Sequence, residues 1–180
     1  MKLDAIHRFD SAVDLIQRGM RISIVSHLTG IPPQVLRSLH HEIHGVSPPA
    51  GQMPSSTGML STRSAQAMAS VFAAFYRSVG GVGIRDQIEL SALLAAHDLY
   101  LELVEILVSA VSHLKPIDIN QAWVIARDIQ TGALYFSDCR TCDIRYLCAT
   151  DTRSPPGCPI CALARRERVK RSAGQDKHGR

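Results

Sequence analysis

The chain of 180 residues is 46% apolar and only 5% aromatic. Its core must therefore be built mainly from aliphatic side chains, which favours helices packed on helices. No apolar run approaches the roughly 18 uncharged residues of a membrane span, and the opening Met1-Lys2-Leu3-Asp4 lacks the apolar stretch of a secretory signal. We therefore expect a soluble, cytoplasmic protein. The net charge of +4 is uneven, because residues 162–180 alone carry +5.

The first predicted helix covers residues 4–17. Ile6, Phe9, Val13 and Ile16 recur there at spacings of three and four, which is the pattern of an amphipathic helix. These four side chains are expected to form its buried face.

Residues 21–43 predict a helix, a tight turn at Gly30, and a second helix that begins at Pro32-Pro33. This order of elements is typical of a helix-turn-helix motif. The second helix is expected to present polar side chains that could contact DNA: Gln34, Arg37, His41 and His44. Two ordinary packed helices fit the pattern equally well. A metal site at the neighbouring histidines is a further alternative, less consistent with the pattern than surface histidines.

The segment 45–62 is rich in glycine and proline and predicts a long surface connection. Uninterrupted helices are predicted over 63–78 and 86–113, with a glycine turn between them. A last helix is expected to be capped by Asp118 and to end near Gly132. A short strand-like run then leads into the first cysteine pair.

The cysteine pattern is the most informative part of the chain. Two C-x-x-C units are separated by 15 residues, a spacing typical of zinc sites. The predicted ligands are Cys139, Cys142, Cys158 and Cys161. A closed set of four thiolates leaves no open coordination position, so one structural zinc ion is expected per chain rather than a catalytic one. Two disulfides or unrelated reduced pairs are the alternative, and Cys148 has no C-x-x-C partner.

Three classes of function fit these motifs. The zinc site, the helix-turn-helix and the basic C-terminal region together favour a DNA-binding regulator. His40-x-Glu42 with Cys158-x-x-Cys161 loosely echoes the zinc deaminase signature, but the first cysteine pair is then unexplained and the site is closed, so no enzyme is predicted. A zinc-stabilised protein-interaction scaffold without direct DNA contact is the other alternative, and a solvated tail is the other explanation for the C-terminal charge.

Three stretches carry a resemblance to a known family. They are Ala12-Val13-Asp14-Leu15-Ile16-x-x-Gly19-x-Arg21, Ser47-Pro48-Pro49-x-Gly51-x-Met53-Pro54, and Ala122-Trp123 leading through Gly132-x-Leu134 into the cysteine pairs. The chain thereby resembles FlhC, the family of bacterial flagellar transcriptional regulators. The resemblance implies a hetero-oligomer with FlhD that activates flagellar promoters through RNA polymerase, with zinc on the four cysteines. It also implies DNA-binding candidates after the last cysteine: Arg165, Arg166, Arg168, Lys170 and Arg171.

The expected fold is mainly α, a helical domain containing a helix-turn-helix-like segment, followed by a small four-cysteine zinc-ribbon-like module. We expect the helical domain, which would also bind FlhD, to cover residues 1–132. The zinc module with its basic extension is expected over 133–171 and a disordered tail over 172–180.

Overall fold

The computed structural model describes residues 2–108, 114–151 and 157–175. It divides into two compact units, Met1–Met53 and Pro54–Arg180. The described chain is mainly helical, as predicted, with a four-cysteine cluster toward the C-terminus. Its elements in chain order are α1 (Lys2–Gln17), α2 (Ile22–Thr29), α3 (Pro33–His44), α4 (Ser56–Met59), α5 (Arg63–Gly80), a 3-10 helix (Gly81–Arg85), α6 (Leu90–Val108), α7 (Ile119–Gln130), β1 (Leu134–Asp138), β2 (Arg145–Ala149) and α8 (Pro159–Gln175).

The first unit is a group of three helices in which α1, α2 and α3 contact one another. Helix α2 ends at Gly30, whose φ of 69° is a left-handed conformation that glycine adopts without a Cβ penalty. The Ser26 hydroxyl donates to the Ile31 carbonyl at 2.8 Å and holds the turn. Helix α3 then begins with proline in its first turn. The predicted helix, glycine turn and helix are confirmed.

The buried face of α1 differs from the prediction. Leu15 and Ile16 are almost fully buried, whereas Ile6 and Phe9 are 56% and 46% exposed. The fully buried residues of α1 begin at Ala12, so neighbouring helices cover only its C-terminal turns. The expected burial of Ile6 and Phe9 was therefore wrong.

The connection predicted over 45–62 is not entirely a surface loop. Ser55 accepts a hydrogen bond from the Gly58 N–H and caps the one-turn helix α4. Met59 and Leu60 then enter the core of the second unit, with exposures of 7% and 0%. Their burial was missed because the flanking prolines and glycines dominate the local pattern.

The later helices begin at recognisable caps. The Glu89 side chain accepts from the Ala92 N–H at 2.9 Å, so α6 begins at Leu90 rather than at residue 86. Residues 109–113, the end of that predicted helix, lie outside the described residues. Asp118 caps α7 as predicted, and Gln121 completes a reciprocal capping box.

Helix α5 is the centre of the second unit, where it contacts α4, α6, α7, β2, α8 and the 3-10 helix. Its Phe72 ring packs edge-on against Tyr100 of α6, with centroids 5.9 Å apart. Together with the 3-10 helix, α5 is long and apolar enough to cross a membrane by length and composition alone. Arg77 interrupts the apolar run, and core helices of soluble proteins share these properties.

The strands β1 and β2 pair antiparallel, with Phe136 opposite Leu147. Strand β1 was predicted, whereas β2 and α8 were not. The Gln66 amide donates to the Leu147 carbonyl at 2.9 Å, and the Leu147 N–H donates to the Ser70 hydroxyl at 3.0 Å. Because Gln66 and Ser70 are one turn apart on α5 and both buried, this helix satisfies both polar groups of a single β2 residue.

The predicted boundary at residue 132 stays a prediction. Residues 172–175, expected to be disordered, lie in the last turn of α8, and 176–180 lie outside the described residues.

We predict that Ser70→Ala lowers the free energy of unfolding by about 1–3 kcal/mol, because it leaves the buried Leu147 N–H without an acceptor. Urea denaturation of the metal-loaded protein measures the change. Ser78→Ala is the matched control, since Ser78 is an exposed serine of the same helix and its loss should cost almost nothing. Equal stability of the two variants would contradict the role of Ser70.

Candidate metal centre

Four cysteine sulfurs converge from two parts of the second unit. Cys139 and Cys142 lie in the loop between β1 and β2, while Cys158 and Cys161 lie at the beginning of α8. The sulfurs of Cys139 and Cys161 are 3.8 Å apart, as are those of Cys142 and Cys158. All four lie within 4.8 Å of one another. The structure thus brings together the four cysteines that the spacing selected.

The first pair is shaped by a compact loop. The Cys139 N–H donates to the Ile144 carbonyl at 3.1 Å, and the Asp143 N–H donates back to the Cys139 carbonyl at 2.9 Å. Asp143 has a φ of 56°, a left-handed conformation that aspartate tolerates better than most side chains. These bonds fold the loop so that both sulfurs turn to the same side.

The second pair is built on the start of a helix. Pro159 opens α8, where its missing N–H costs nothing. Cys158 directly precedes the helix and its carbonyl accepts from the Ala162 N–H at 3.2 Å. Cys161 follows in the first turn, so the two sulfurs are directed by helical geometry.

The pKa values of three of the four thiols are shifted in different directions. The Thr141 N–H donates to the Cys139 sulfur at 3.4 Å, and this bond is the main cause of a Cys139 pKa lowered to about 6. The Cys142 sulfur, followed by burial, raises the pKa of Cys161 to about 12. Burial raises the pKa of Cys158 as well. Four thiolates this close need a cation between them, so the electrostatics favour a bound metal ion.

The sulfur positions fit a tetrahedral metal site. A metal–sulfur distance of about 2.3 Å gives a tetrahedron with edges of about 3.8 Å, and two of the sulfur pairs have this separation. A disulfide would need about 2.05 Å, so the sulfurs are not arranged as two disulfides. Cys148 lies in β2 opposite Tyr135 and is not part of the cluster; burial raises its pKa.

A cationic cleft adjoins the cluster. This hollow of about 430 Å³ is lined by Arg63, Arg140 and Arg165 together with Cys139, Cys158 and Cys161. Arg63 donates to the Gly157 carbonyl at 2.8 Å and is thereby fixed next to the second pair. The acid that lines the cleft, Asp138, is paired with Arg145 at 2.6 Å. Three arginines therefore face the cleft, where they lie close to the negative charge of the cysteine thiolates.

Two of the three cleft arginines were missed in the sequence. Arg140 stands inside the first C-x-x-C unit, where its position next to two ligands was an available signal. Arg63 opens α5, and only the fold brings it to the cysteines.

The C-terminal candidates are distributed along α8. Arg165 lines the cleft, and Arg166 and Arg168 are exposed on the helix. Lys170 and Arg171 belong to the α8 backbone, but their side chains lie outside the described residues.

The helix-turn-helix candidates belong to the first unit. Gln34, Arg37 and His41 are exposed, and their spacing of three and four places them on one face of α3. His44 is also exposed, but one of its ring nitrogens lies 2.9 Å from the Ile16 carbonyl. His40 is buried and contacts the Val46 carbonyl at 3.1 Å. Both histidines therefore have structural partners, and the described residues group no third ligand with them.

The known proteins to which this chain is similar include members of one family. A family model described as "Flagellar transcriptional activator (FlhC)" matches residues 3–174. The flagellar transcriptional regulator FlhC of Cupriavidus metallidurans is 29% identical over 78% of the chain. Its namesakes in Paraburkholderia atlantica and Nitrosomonas eutropha are 29% and 28% identical over 92% and 91% of the chain.

The chain spans only part of the length of these relatives. The matches cover 63% of the Cupriavidus protein, 74% of the Paraburkholderia protein and 84% of the Nitrosomonas protein.

We predict that Cys139→Ser strongly reduces the metal content of the purified protein, because it removes one corner of a closed ligand set. Cys148→Ser is the matched control, since it changes a fifth cysteine outside the cluster and should leave the metal content unaltered. Elemental analysis by inductively coupled plasma mass spectrometry measures both. Full metal retention by the Cys139 variant, or equal loss in the two variants, would refute the assignment.

Proposed function

The chain belongs to the FlhC family of flagellar transcriptional activators, and on this basis we propose that it is a DNA-binding activator subunit that works with FlhD at flagellar promoters. This family is one of transcriptional regulators, which is not an enzyme class. The observation that carries the DNA-binding proposal is the cationic cleft beside the four-cysteine cluster.

The metal in this proposal is a structural zinc ion. Four thiolates at tetrahedral spacing are a donor set that suits Zn²⁺ and leaves no coordination position for a reaction. Cys139, Cys142, Cys158 and Cys161 would hold it. Zinc would supply a fixed junction between the β1–β2 loop and the start of α8. Elemental analysis should then give one zinc per chain.

The cleft arginines would bind the phosphate backbone. Arg140 and Arg165 are exposed, so their guanidinium groups are free to make charge-assisted hydrogen bonds to phosphate oxygens. Arg63 is held by the Gly157 carbonyl and supplies a positioned charge. Such contacts fix a protein on DNA without reading its sequence. The exposed arginines farther along α8 would extend the same phosphate contact.

Helix α3 would read the promoter sequence. It is the second helix of the helix-turn-helix, and Gln34 and Arg37 occupy its first turns on the exposed face. These side-chain types form bidentate hydrogen bonds with adenine and guanine.

The remaining parts of the proposal follow from family membership. The partner is an FlhD subunit in a hetero-oligomer, the complex recruits RNA polymerase, and the protein acts in the cytoplasm. The family match over residues 3–174 supports this assignment.

We predict that the double variant Arg140→Gln with Arg165→Gln weakens promoter binding and reduces the slope of log affinity against log salt by about 2, because two phosphate contacts are lost. Electrophoretic mobility shifts over a salt series, with FlhD present, measure the slope. Arg85→Gln is the control, since Arg85 is an exposed arginine of the same unit that does not line the cleft.

The metal content of the double variant must be checked in the same preparation. Loss of metal would mean that these arginines balance the thiolate charge instead of binding DNA. DNA affinity that does not depend on salt, or no affinity with or without FlhD, would favour the protein-interaction scaffold.

We predict that Gln34→Ala lowers the preference for promoter over random DNA by roughly 1–3 kcal/mol, the value of one bidentate base contact. Competition binding with both DNAs measures this preference. Gln17→Ala serves as the control because Gln17 is an exposed glutamine of the same unit on α1. An unchanged preference for promoter DNA in the Gln34 variant would show that this residue makes no base contact.

A further inference from the structure

An apolar groove runs along the outer side of α5. The hollow has a volume of about 300 Å³ and is lined by Val71, Ala74 and Phe75 of α5 together with Ile144 and Ile160. Ile144 follows the first cysteine pair, and Ile160 lies between the two cysteines of the second pair. The metal-binding loop and the start of α8 thus form the opposite wall of the groove.

The groove lies beside the core-facing side of α5. Phe72 and Tyr76 already bury the inner side of this helix with 0% exposure. Val71, Ala74 and Phe75 form a second apolar stripe. Val71 and Phe75 are half-buried and Ala74 is exposed, so the elements that pack around α5 leave part of this stripe uncovered. These apolar side chains are therefore open to a partner that brings an apolar surface of its own.

Positive charge lines the end of the groove. Two further hollows continue from the groove, and both are lined by Arg77 and Arg145. The nearer hollow shares Ala74 and Ile144 with the groove. The farther hollow is also lined by Arg85. Among the described residues that line these three hollows there is no aspartate or glutamate.

Two of these arginines have partners within the chain. The Arg77 guanidinium lies 5.5 Å from the centre of the Phe136 ring, which orients its charge without neutralising it. Arg145 is paired with Asp138. An excess of positive charge remains, and it is complementary to an acidic ligand.

We propose that this surface is a docking site for an acidic amphipathic helix of a protein partner. The apolar floor would take the apolar face of that helix, and Arg77 and Arg85 would contact its acidic side. A helix suits the site because the lining residues follow one face of α5 from Ser70 to Ser78, about two turns, the arrangement used in helix-in-groove recognition.

DNA is a poorer match for this groove. A phosphate backbone offers no apolar face for Val71, Phe75 and Ile144. The groove and its adjoining hollows also share no lining residue with the cationic cleft. The inference goes beyond promoter binding and does not depend on it.

Two fluorescein-labelled synthetic peptides test the proposal. Both are amphipathic helices with the same leucine face, and they differ only in carrying glutamate or lysine on the polar face. Fluorescence anisotropy with the full, metal-loaded chain should show saturable binding of the glutamate peptide and binding of the lysine peptide that is roughly tenfold weaker or more. Equal binding of the two peptides, or no binding of either, would overturn the proposal.

Matched variants locate the binding. Ala74→Glu puts a charge on the apolar floor and should lower the affinity for the glutamate peptide roughly tenfold or more. Ala95→Glu makes the same change at an exposed alanine of α6 and should have no effect. Ser78→Glu, at another exposed groove position, is the second test should Ala74→Glu lose its helical circular dichroism or its metal.

Promoter binding by the same variants separates this surface from the proposed function. Ala74→Glu should leave the affinity for promoter DNA and its salt slope unchanged while it lowers the affinity for the glutamate peptide. The groove would have another role if Ala74→Glu and Ala95→Glu changed the affinity for the glutamate peptide equally. The same conclusion would follow if Ala74→Glu lowered the affinity for promoter DNA and not the affinity for the peptide.

Discussion

The second unit depends on how α5 holds one residue of the sheet. Leu147 has its N–H and its carbonyl bound by Ser70 and Gln66, and its side chain is fully buried. A two-stranded hairpin is at best marginally stable alone, so these bonds supply what a third strand would otherwise provide. The loop that carries Cys139 and Cys142 is therefore positioned by a helix that contains no metal ligand.

The same helix positions the second half of the metal site. Because α8 also packs against α5, helix packing alone already brings the two cysteine pairs together, and a shared ion would fix them further. Small domains built around a structural metal often depend on that metal for their folding. Buried Leu134, Tyr146 and Leu147 show that the hairpin also contributes to the core. A bound metal ion and this packing would thus stabilise the same arrangement.

Sequence reasoning succeeded where the signal was local. The Asp118 cap, the turn at Gly30 and the C-x-x-C spacing each depend on residues within one turn or loop. It failed where burial depended on distant contacts. Nothing near Leu147 indicates that Gln66, 81 residues away, will complete its hydrogen bonds, and the periodicity of α1 does not show that its first turns lack a covering partner.

The metal centre separates two surfaces of opposite character. The β1–β2 loop contributes Arg140 to the cationic cleft and Ile144 to the apolar groove, while α8 contributes Arg165 to the cleft and Ile160 to the groove. Since each segment is anchored by two of the four cysteines, the ion would set the spacing of both surfaces at once. A substitution on one surface leaves the other intact, whereas losing the metal would disturb both. Through this arrangement a closed, non-catalytic site would control the proposed DNA contact and the proposed protein contact together.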